Sequence, residues 1–332
     1  MSTEKTKKNK ALKIKEKKAK LSPLTITMLV VLVLYCVIMF ILVGWGFLKS
    51  LQAFWDDTDN KAWPKVFFWS NDVINRYMYI VEAGLKKDQT KFGNYAYIFS
   101  NFTNTKYIKD DMGQIVEQVD IGFGHMLLYT IGYAGGGAFV NTLIQCTTAY
   151  VCARYAFKFS GVVYGAVIVA MILPVVGSLP SEIAMARAVG IYDKIWGMWL
   201  MRANFLGMYF LVFHEMFKAI PASYSEAATI DGANDFQILW KIGFPLARNT
   251  FMTCFLLNFV TLWNDYQIST VYLPTHPTLA EGVHWMQQGA QIGSTSPIAL
   301  AGVFVLMLPI LVLFLCFHKR LMGNLTIGGV KG

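Results

Sequence analysis

The sequence is poor in charged residues and in cysteine. Asp, Glu, Lys and Arg make up 15% of its 332 residues, whereas soluble domains usually contain about 25%. The five cysteines, at 36, 146, 152, 254 and 316, form no C-x-x-C pair and all lie in or beside apolar runs. Hydrophobic residues account for 55% of the chain. This composition excludes a disordered chain and a small disulfide-stabilised domain, and it predicts an integral membrane protein.

The sequence also lacks the motifs of several catalytic and cofactor-binding classes. It contains no H-E-x-x-H pattern, no cluster of metal-ligating residues and no G-x4-G-K-[S/T] phosphate-binding loop. We therefore expect no catalytic residue, no metal site and no cofactor bound by this chain.

The net charge of +9 is concentrated at the start of the chain. Residues 1–23 contain nine lysines and two glutamates, so all later residues together carry a net charge of +2. This distribution predicts a basic cytoplasmic tail that follows the positive-inside rule and contacts anionic membrane lipids. It does not predict nucleic-acid binding, because no basic surface with interleaved aromatic residues accompanies the tail.

Six apolar segments are candidates for transmembrane helices, which need about 20 residues each. They lie at 24–48, 123–151, 162–179, 195–217, about 250–273 and 297–317. Lysine and arginine are found in the segments 1–23, 152–161, 214–249 and 318–332, whereas the segment 274–296 has none. The sequence therefore predicts an all-α membrane protein with six spans and both termini in the cytoplasm. Residues 49–122 form an extracytoplasmic loop, 123–318 form the transmembrane core, and 319–332 form a cytoplasmic tail.

Two of these predicted spans contain charged residues, and another contains a glycine run. A charge at the bilayer centre costs about 2.5–3.5 kcal/mol on insertion scales, so Arg202 is expected to face the helix bundle or a water-filled cavity. For Arg202, and for Asn264 and Asp265 in the fifth span, structural contact and contact with a transported solute both remain open. The run Gly135–Gly137 predicts close helix packing or a local kink.

The predicted inner segment 214–249 has the pattern of a helix, a turn and a second helix. Ser223 or Ser225 is a candidate cap for the first helix. Gly232 can adopt a positive φ and end that helix. The helix resumes at Asp235, and Pro245 is expected to end the unit before the next span.

The same segment resembles the EAA-x3-G-x9-I-x-L-P signature of permeases in binding-protein-dependent ABC importers. The matching residues are Glu226, Ala227, Ala228, Gly232, Ile242 and Pro245, with Phe244 in place of the leucine. Asp231 completes a D-G-A element typical of the carbohydrate importers. Further elements resemble the maltose-type, MalG-like branch: residues 92–95, 149–158, 263–266 and 325–332.

This resemblance implies the type I ABC importer permease fold, with cytoplasmic coupling helices around the EAA motif. It implies four kinds of partner: a second permease subunit in a heterodimer, two ATPase subunits that bind the ATP, an extracellular sugar-binding lipoprotein, and membrane lipids. The implied location is the bacterial plasma membrane, and the implied cargo is a carbohydrate such as an oligosaccharide. A permease for a peptide or glycerol phosphate, and a secondary transporter outside the ABC class, remain as alternatives.

Overall fold

The computed structural model describes residues 22–51, 94–95, 98–99, 102–109, 115–155, 159–173, 177–288 and 296–325. The basic tail up to residue 21, most of the predicted outer loop, Pro174 and the last seven residues lie outside this part of the chain. Helices dominate the described residues. They are α1 (Pro23–Ser50), α2 (Phe123–Ile131), α3 (Gly137–Arg154), α4 (Ser160–Ile172), α5 (Leu179–Ala188), α6 (Ile195–Arg202), α7 (Met208–Lys218), α8 (Ser223–Ile230), α9 (Asp235–Ile238), α10 (Phe244–Trp263), α11 (Gln267–Tyr272), α12 (Leu279–Gln287) and α13 (Ser296–Leu325). Two π-helical turns, Gly132–Gly136 and Leu239–Gly243, join α2 to α3 and α9 to α10.

The chain divides into two units, Met1–Leu48 and Lys49–Gly332. The described part of the first unit belongs to the 28-residue helix α1. Apolar side chains are exposed along most of this helix, as Phe40 and Leu24 illustrate. An apolar helix of this length with exposed side chains on every face matches the predicted first span.

A β-hairpin in the second unit corrects the prediction of a purely helical fold. Strands β1 (Thr103–Lys109) and β2 (Ile115–Gly122) pair in antiparallel fashion, with Thr103 opposite Gly122 and a register shift at Ile108/Lys109. Strand β2 leads directly into α2 at Phe123. The predicted outer loop therefore ends in a hairpin attached to the start of the second span.

Three helices in the described part of the chain are long and apolar enough to cross a membrane. They are Pro23–Ser50, the continuous stretch Phe123–Arg154, and Pro297–His318. The other predicted spans are shorter or interrupted: α4 has 13 residues, and residues 203–207 separate α6 from α7. Helix α10 has 20 residues but begins at Phe244, earlier than predicted, and contains Arg248 and Asn258, which lower its hydropathy.

The second unit has two clusters of buried apolar residues, and helices α3 and α10 contribute to both. One contains Met126, Tyr133 and Trp263, together with residues of α11, α12 and α13. The other contains Phe213 and Phe251, together with further residues of α3, α7 and α10. Helices α7 and α10 both pack against α3. In the chain, α3 lies between the hairpin and the inner segment 214–249, which contains the EAA motif and is called the EAA segment below.

The glycine run produces the close helix packing that the sequence predicts. Residues Gly132–Gly136 form a π-helical turn, and a Cβ atom at Gly136 would lie 2.2 Å from the ring of Trp199. The indole Nε1 of Trp199 donates a hydrogen bond to the Gly132 carbonyl at 3.0 Å. Because glycine has no side chain, α6 can approach this turn closely, and the tryptophan satisfies one carbonyl there.

Candidate functional site

Three interruptions of helical structure bring polar side chains together inside the second unit. Tyr133 lies in the first π-helical turn, Arg202 ends α6, and Asp265 follows the end of α10. Arg202 Nη2 lies 3.3 Å from Asp265 Oδ2, and the Tyr133 hydroxyl donates to the same oxygen at 3.1 Å. The backbone N–H of Ile268 donates to Asp265 Oδ1 at 3.1 Å. We call Tyr133, Arg202 and Asp265 the polar cluster.

The structure brings together two of the three predicted pathway residues. The side chains of Arg202 and Asp265 retain 33% and 17% of their exposure, so the ion pair lies at a surface rather than in the core. Asn264 is exposed beside this pair, and its amide donates to the Val260 carbonyl at 2.9 Å. Arg202 is thus paired within the chain, and contact of these residues with a solute stays a prediction.

Amide side chains on α3 form hydrogen bonds at the break between α6 and α7, which follows Arg202. Asn141 Nδ2 donates to the Arg202 carbonyl at 3.0 Å, and Gln145 Nε2 donates to Asn141 Oδ1. A Cβ atom at Gly207 would lie 3.2 Å from Gln145 Nε2, so the chain after the break passes close to this amide. Tyr133, Asn141 and Gln145 were not predicted as site residues. Asn141 and Gln145 are four residues apart on α3, a spacing that places both amides on one helix face and is the signal that identifies them. Tyr133 lies in the π-helical turn before α3, so the α-helical period gives no such signal for it.

A buried polar group, separate from the polar cluster, links the hairpin to the region after α10. Glu281 on α12 is fully buried and forms an ion pair with Lys106 of β1. Ser269 Oγ donates to Glu281 Oε2 at 2.7 Å, and Trp285 Nε1 lies 3.4 Å from Oε1. Thr278 caps α12 by accepting the N–H of Glu281 at 3.3 Å. The T-x-x-E pattern is the capping signal that the sequence analysis missed.

The EAA segment folds as the predicted helix, turn and helix. Gly232 has a φ of 83° immediately after α8, and the N–H groups of Gly232 and Ala233 donate to the carbonyls of Thr229 and Ala228 at 3.0 and 2.9 Å. These two bonds form a Schellman motif, which requires a residue with positive φ at that position. The prediction for Gly232 is confirmed.

Two other predictions for this segment are wrong. Neither Ser223 nor Ser225 caps α8: its N-cap is Ala222, and the Ser225 hydroxyl donates to the Ala222 carbonyl at 2.9 Å. Pro245 does not end the unit either, because it lies in the first turn of α10. The π-helical turn Leu239–Gly243 precedes that turn, and a proline without an N–H is tolerated there.

A capping box that the sequence analysis did not identify begins the second helix. Asn234 Oδ1 accepts the N–H of Gln237 at 2.8 Å, and Gln237 Oε1 accepts the N–H of Asn234 at 3.1 Å. These reciprocal bonds satisfy two backbone donors at the start of α9. The turn between α8 and α9 is therefore hydrogen-bonded at both ends, by the Schellman motif before it and by the capping box after it.

The motif residues lie mainly on the surface of this segment. Helix α8, described over its full length, has no buried residue. Glu226, Ala227, Asp231, Gly232 and Pro245 are exposed, whereas Ala228 and Ile242 are half-buried. Apolar side chains stand out beside them: Ile230 is 86% exposed and Phe236 is 69% exposed. Exposed apolar residues next to a polar motif are typical of a surface that contacts another protein.

The base of the EAA segment is attached to the end of α3. Arg154 Nη1 donates to the Ile220 carbonyl at 3.0 Å, and Gly243 packs so closely on Tyr150 that a Cβ atom would lie 2.8 Å from its ring. Burial raises the pKa of Tyr155 to about 12, and its hydrogen bond with Asp235 acts in the same direction. Helix α3 therefore connects this segment directly to Asn141 and Gln145.

Comparison with known proteins identifies relatives of this chain among transport permeases. The chain is 27% identical to the trehalose transport system permease protein SugB of Mycobacterium tuberculosis, over 63% of this chain and 78% of that protein. It is 26% identical to the melibiose/raffinose/stachyose import permease protein MelC of Bacillus subtilis, over 63% and 76%. A crystal structure of a bacterial ABC transporter involved in the import of the acidic polysaccharide alginate shares the fold. Its TM-score is 0.51 at 24% identity, over 76% of this chain and 98% of that chain.

The family of binding-protein-dependent transport system inner membrane components matches residues 145–320, which is more than half of the chain. The matched range includes the EAA segment as well as Arg202 and Asp265. The resemblance noted from the EAA motif is thereby confirmed, as is the prediction of a transporter membrane subunit rather than an enzyme. The chain belongs to the family of inner membrane components of binding-protein-dependent transport systems.

Proposed function

We propose that this chain is one of two permease subunits in a bacterial ABC importer that carries a carbohydrate, such as an oligosaccharide, across the plasma membrane. An extracellular binding lipoprotein delivers the carbohydrate, and two separate ATPase subunits bind and hydrolyse ATP, so this chain needs no cofactor of its own. The EAA segment and its exposed apolar side chains carry the proposal. The names of the two sequence relatives, which refer to trehalose and to melibiose, raffinose and stachyose, support a carbohydrate.

The cargo is tested with the purified complex and a panel of solutes. In vesicles with the binding protein, ATP hydrolysis should rise with at least one oligosaccharide and not with peptides or glycerol phosphate. Stimulation by a peptide or glycerol phosphate alone would replace the carbohydrate assignment. Uptake driven by an ion gradient without ATP would overturn the importer itself.

In this proposal the chain crosses the membrane six times, with both termini in the cytoplasm. The crossings are α1, α2–α3, α4, α6–α7, α10 and α13. The lysine-rich start and the absence of lysine and arginine from 274–296 support this orientation. An interrupted helix such as α6–α7 is compatible with a crossing, because irregular backbone is tolerated where other helices or a cavity surround it.

Cysteine labelling tests this orientation in a chain whose native cysteines are replaced. Gln288 and Asp235 are exposed on opposite sides of the membrane in the proposed topology. A membrane-impermeant thiol reagent should label Gln288→Cys in intact cells and Asp235→Cys after permeabilisation. Labelling of both positions from the same side would exclude the six-span arrangement.

In the proposed mechanism the EAA segment docks in a cleft of the ATPase subunit. The docking residues are Glu226, Ala227, Ala228, Asp231, Gly232, Ile242 and Pro245. ATP binding closes the ATPase dimer and moves this segment, and the contacts of Arg154 and Tyr150 pass the movement to α3. The helices then alternate between inward-open and outward-open arrangements. Because coupling is reciprocal for binding, the loaded binding protein favours the ATP-bound state in turn.

Substitution of Gly232 tests this docking. A β-branched residue at a φ of 83° costs about 1–2 kcal/mol, while a Cβ atom there would meet nothing within 4 Å. Gly232→Val should therefore insert normally but lower ATPase co-purification and solute-stimulated hydrolysis by about 5–30-fold. Asparagine tolerates positive φ, so the control Gly232→Asn should retain most of both. Full activity of the valine variant would show that this turn does not couple the subunits.

A further inference from the structure

We propose that the polar cluster presents an electrically neutral surface to the solute and selects an uncharged, hydroxyl-rich ligand over an anionic one. This inference rests on the proposed function, because it assumes that the cluster lines the pathway of an imported carbohydrate. It narrows the cargo from carbohydrates in general to neutral ones, and it excludes sugars that carry carboxylate, sulfonate or phosphate groups.

The positive charge of Arg202 is compensated within the chain. An unpaired guanidinium in a cavity is a strong site for carboxylate or phosphate, because its fork of N–H groups can bind both oxygens of the anion. Here Asp265 lies 3.3 Å away and supplies a compensating negative charge. Both side chains remain partly exposed, so a ligand that reaches Arg202 also meets Asp265.

The Asp265 carboxylate is fixed in place. Its Oδ2 accepts the hydroxyl of Tyr133 and its Oδ1 accepts the N–H of Ile268, each at 3.1 Å. A carboxylate bound from two directions cannot rotate away when a ligand approaches its partner. An anionic ligand at Arg202 would therefore lie beside a stationary negative charge, and this repulsion acts against such ligands.

The polar groups around the ion pair are neutral amides. Asn264 is exposed beside Asp265, and Asn141 with Gln145 lies behind the Arg202 carbonyl. The Oε1 atom of Gln145 is buried and has no hydrogen-bond partner among the described residues. Amide groups donate and accept hydrogen bonds without a charge, as sugar hydroxyls do. The ion pair and the exposed amide of Asn264 together match a neutral polyhydroxyl ligand.

The test measures the electrostatic potential at the cluster without any sugar. A single thiol is introduced as Asn264→Cys in the whole complex, with the five native cysteines replaced. This thiol is reacted with two methanethiosulfonate reagents, the anionic sulfonatoethyl compound and the cationic trimethylammonioethyl compound. The rate with each reagent is divided by the rate at which the same reagent reacts with a free thiol in solution. We expect the ratio of these two corrected rates to stay within about 3-fold of unity, as expected for a compensated pair.

Two charge variants on the same background make the test specific. Asp265→Asn should raise the anion-to-cation ratio about tenfold, and Arg202→Gln should lower it about tenfold. A thiol at Gln288 serves as the distant control, and neither substitution should change its ratio. A ratio above about tenfold in favour of the anion before any charge substitution would overturn the proposal, because Arg202 would then act as an uncompensated cation. Equal ratios in the parent and both variants would overturn it as well.

Failure of this inference is distinguishable from failure of the proposed function. Hydrolysis stimulated by a uronate-containing oligosaccharide more strongly than by its neutral counterpart of equal length would overturn the neutral selection while leaving carbohydrate import intact. A near-unity labelling ratio in a complex that no carbohydrate stimulates would support the neutral surface and overturn the carbohydrate assignment.

Discussion

Replacing Lys106 by methionine is expected to destabilise the second unit by about 3–5 kcal/mol, because it leaves the buried Glu281 carboxylate without its cation. Glu281 is fully buried, and Lys106 is mostly buried. The remaining partners, Ser269 and Trp285, are neutral donors and cannot balance the charge. The purified complex in detergent is heated and then run on a size-exclusion column. The temperature at which it no longer elutes as a single species should fall by several degrees in the variant.

A double substitution separates the ion pair from the packing around it. Lys106→Met with Glu281→Gln removes both charges and keeps an acceptor for Ser269. We therefore expect the double variant to be more stable than Lys106→Met alone, since replacing both partners of a buried pair is often close to neutral. The destabilisation caused by Glu281→Gln is also measured on its own. If the double variant is less stable than Lys106→Met by that same amount, the two residues act independently and the ion pair contributes little.

Replacing Gly136 by alanine is expected to cost about 1–3 kcal/mol and to lower transport, because it overpacks the contact between the first π-helical turn and α6. The new Cβ atom would lie 2.2–2.6 Å from three atoms of the Trp199 side chain. The indole must then move and lose its hydrogen bond to the Gly132 carbonyl. Since Trp199 and Arg202 lie on the same helix, the displacement reaches the polar cluster.

The neighbouring glycine supplies the control for this prediction. A Cβ atom at Gly135 would meet nothing within 4 Å, and alanine is favoured over glycine in helices by about 1 kcal/mol. Gly135→Ala should therefore leave thermal stability unchanged or raise it. Adding Trp199→Leu to Gly136→Ala should recover part of the loss, because it removes the clashing ring. Equal stability of the two alanine variants would contradict the close contact described for Gly136.

Several features of this protein could be predicted from short stretches of sequence. Gly232 ends α8 because the positive φ of a Schellman turn is a local requirement. The glycine run at 135–137 allows a close helix contact for an equally local reason, the absence of side chains. The failures were local too: Ser225 bonds back to the Ala222 carbonyl instead of capping α8, and Pro245 is accommodated in a first helical turn. In both cases the residue type permitted two backbone arrangements, and propensity alone did not choose between them.

The apolar runs and the distribution of charge by themselves determined that this chain is a membrane protein, and the resemblance of the EAA segment to a known permease signature identified it as a subunit of an importer. Both could be read from the sequence because hydropathy and motif spacing are properties of contiguous residues. Only the tertiary structure decided which polar residues meet. Arg202 and Asp265 are separated by 63 residues, Tyr133 and Asp265 by 132, and Lys106 and Glu281 by 175. Such pairs form where helices end or bend against one another, and this depends on the packing of the whole unit rather than on any local period. For that reason the sequence identified Arg202 and Asp265 as unusual residues, and the fold made them partners.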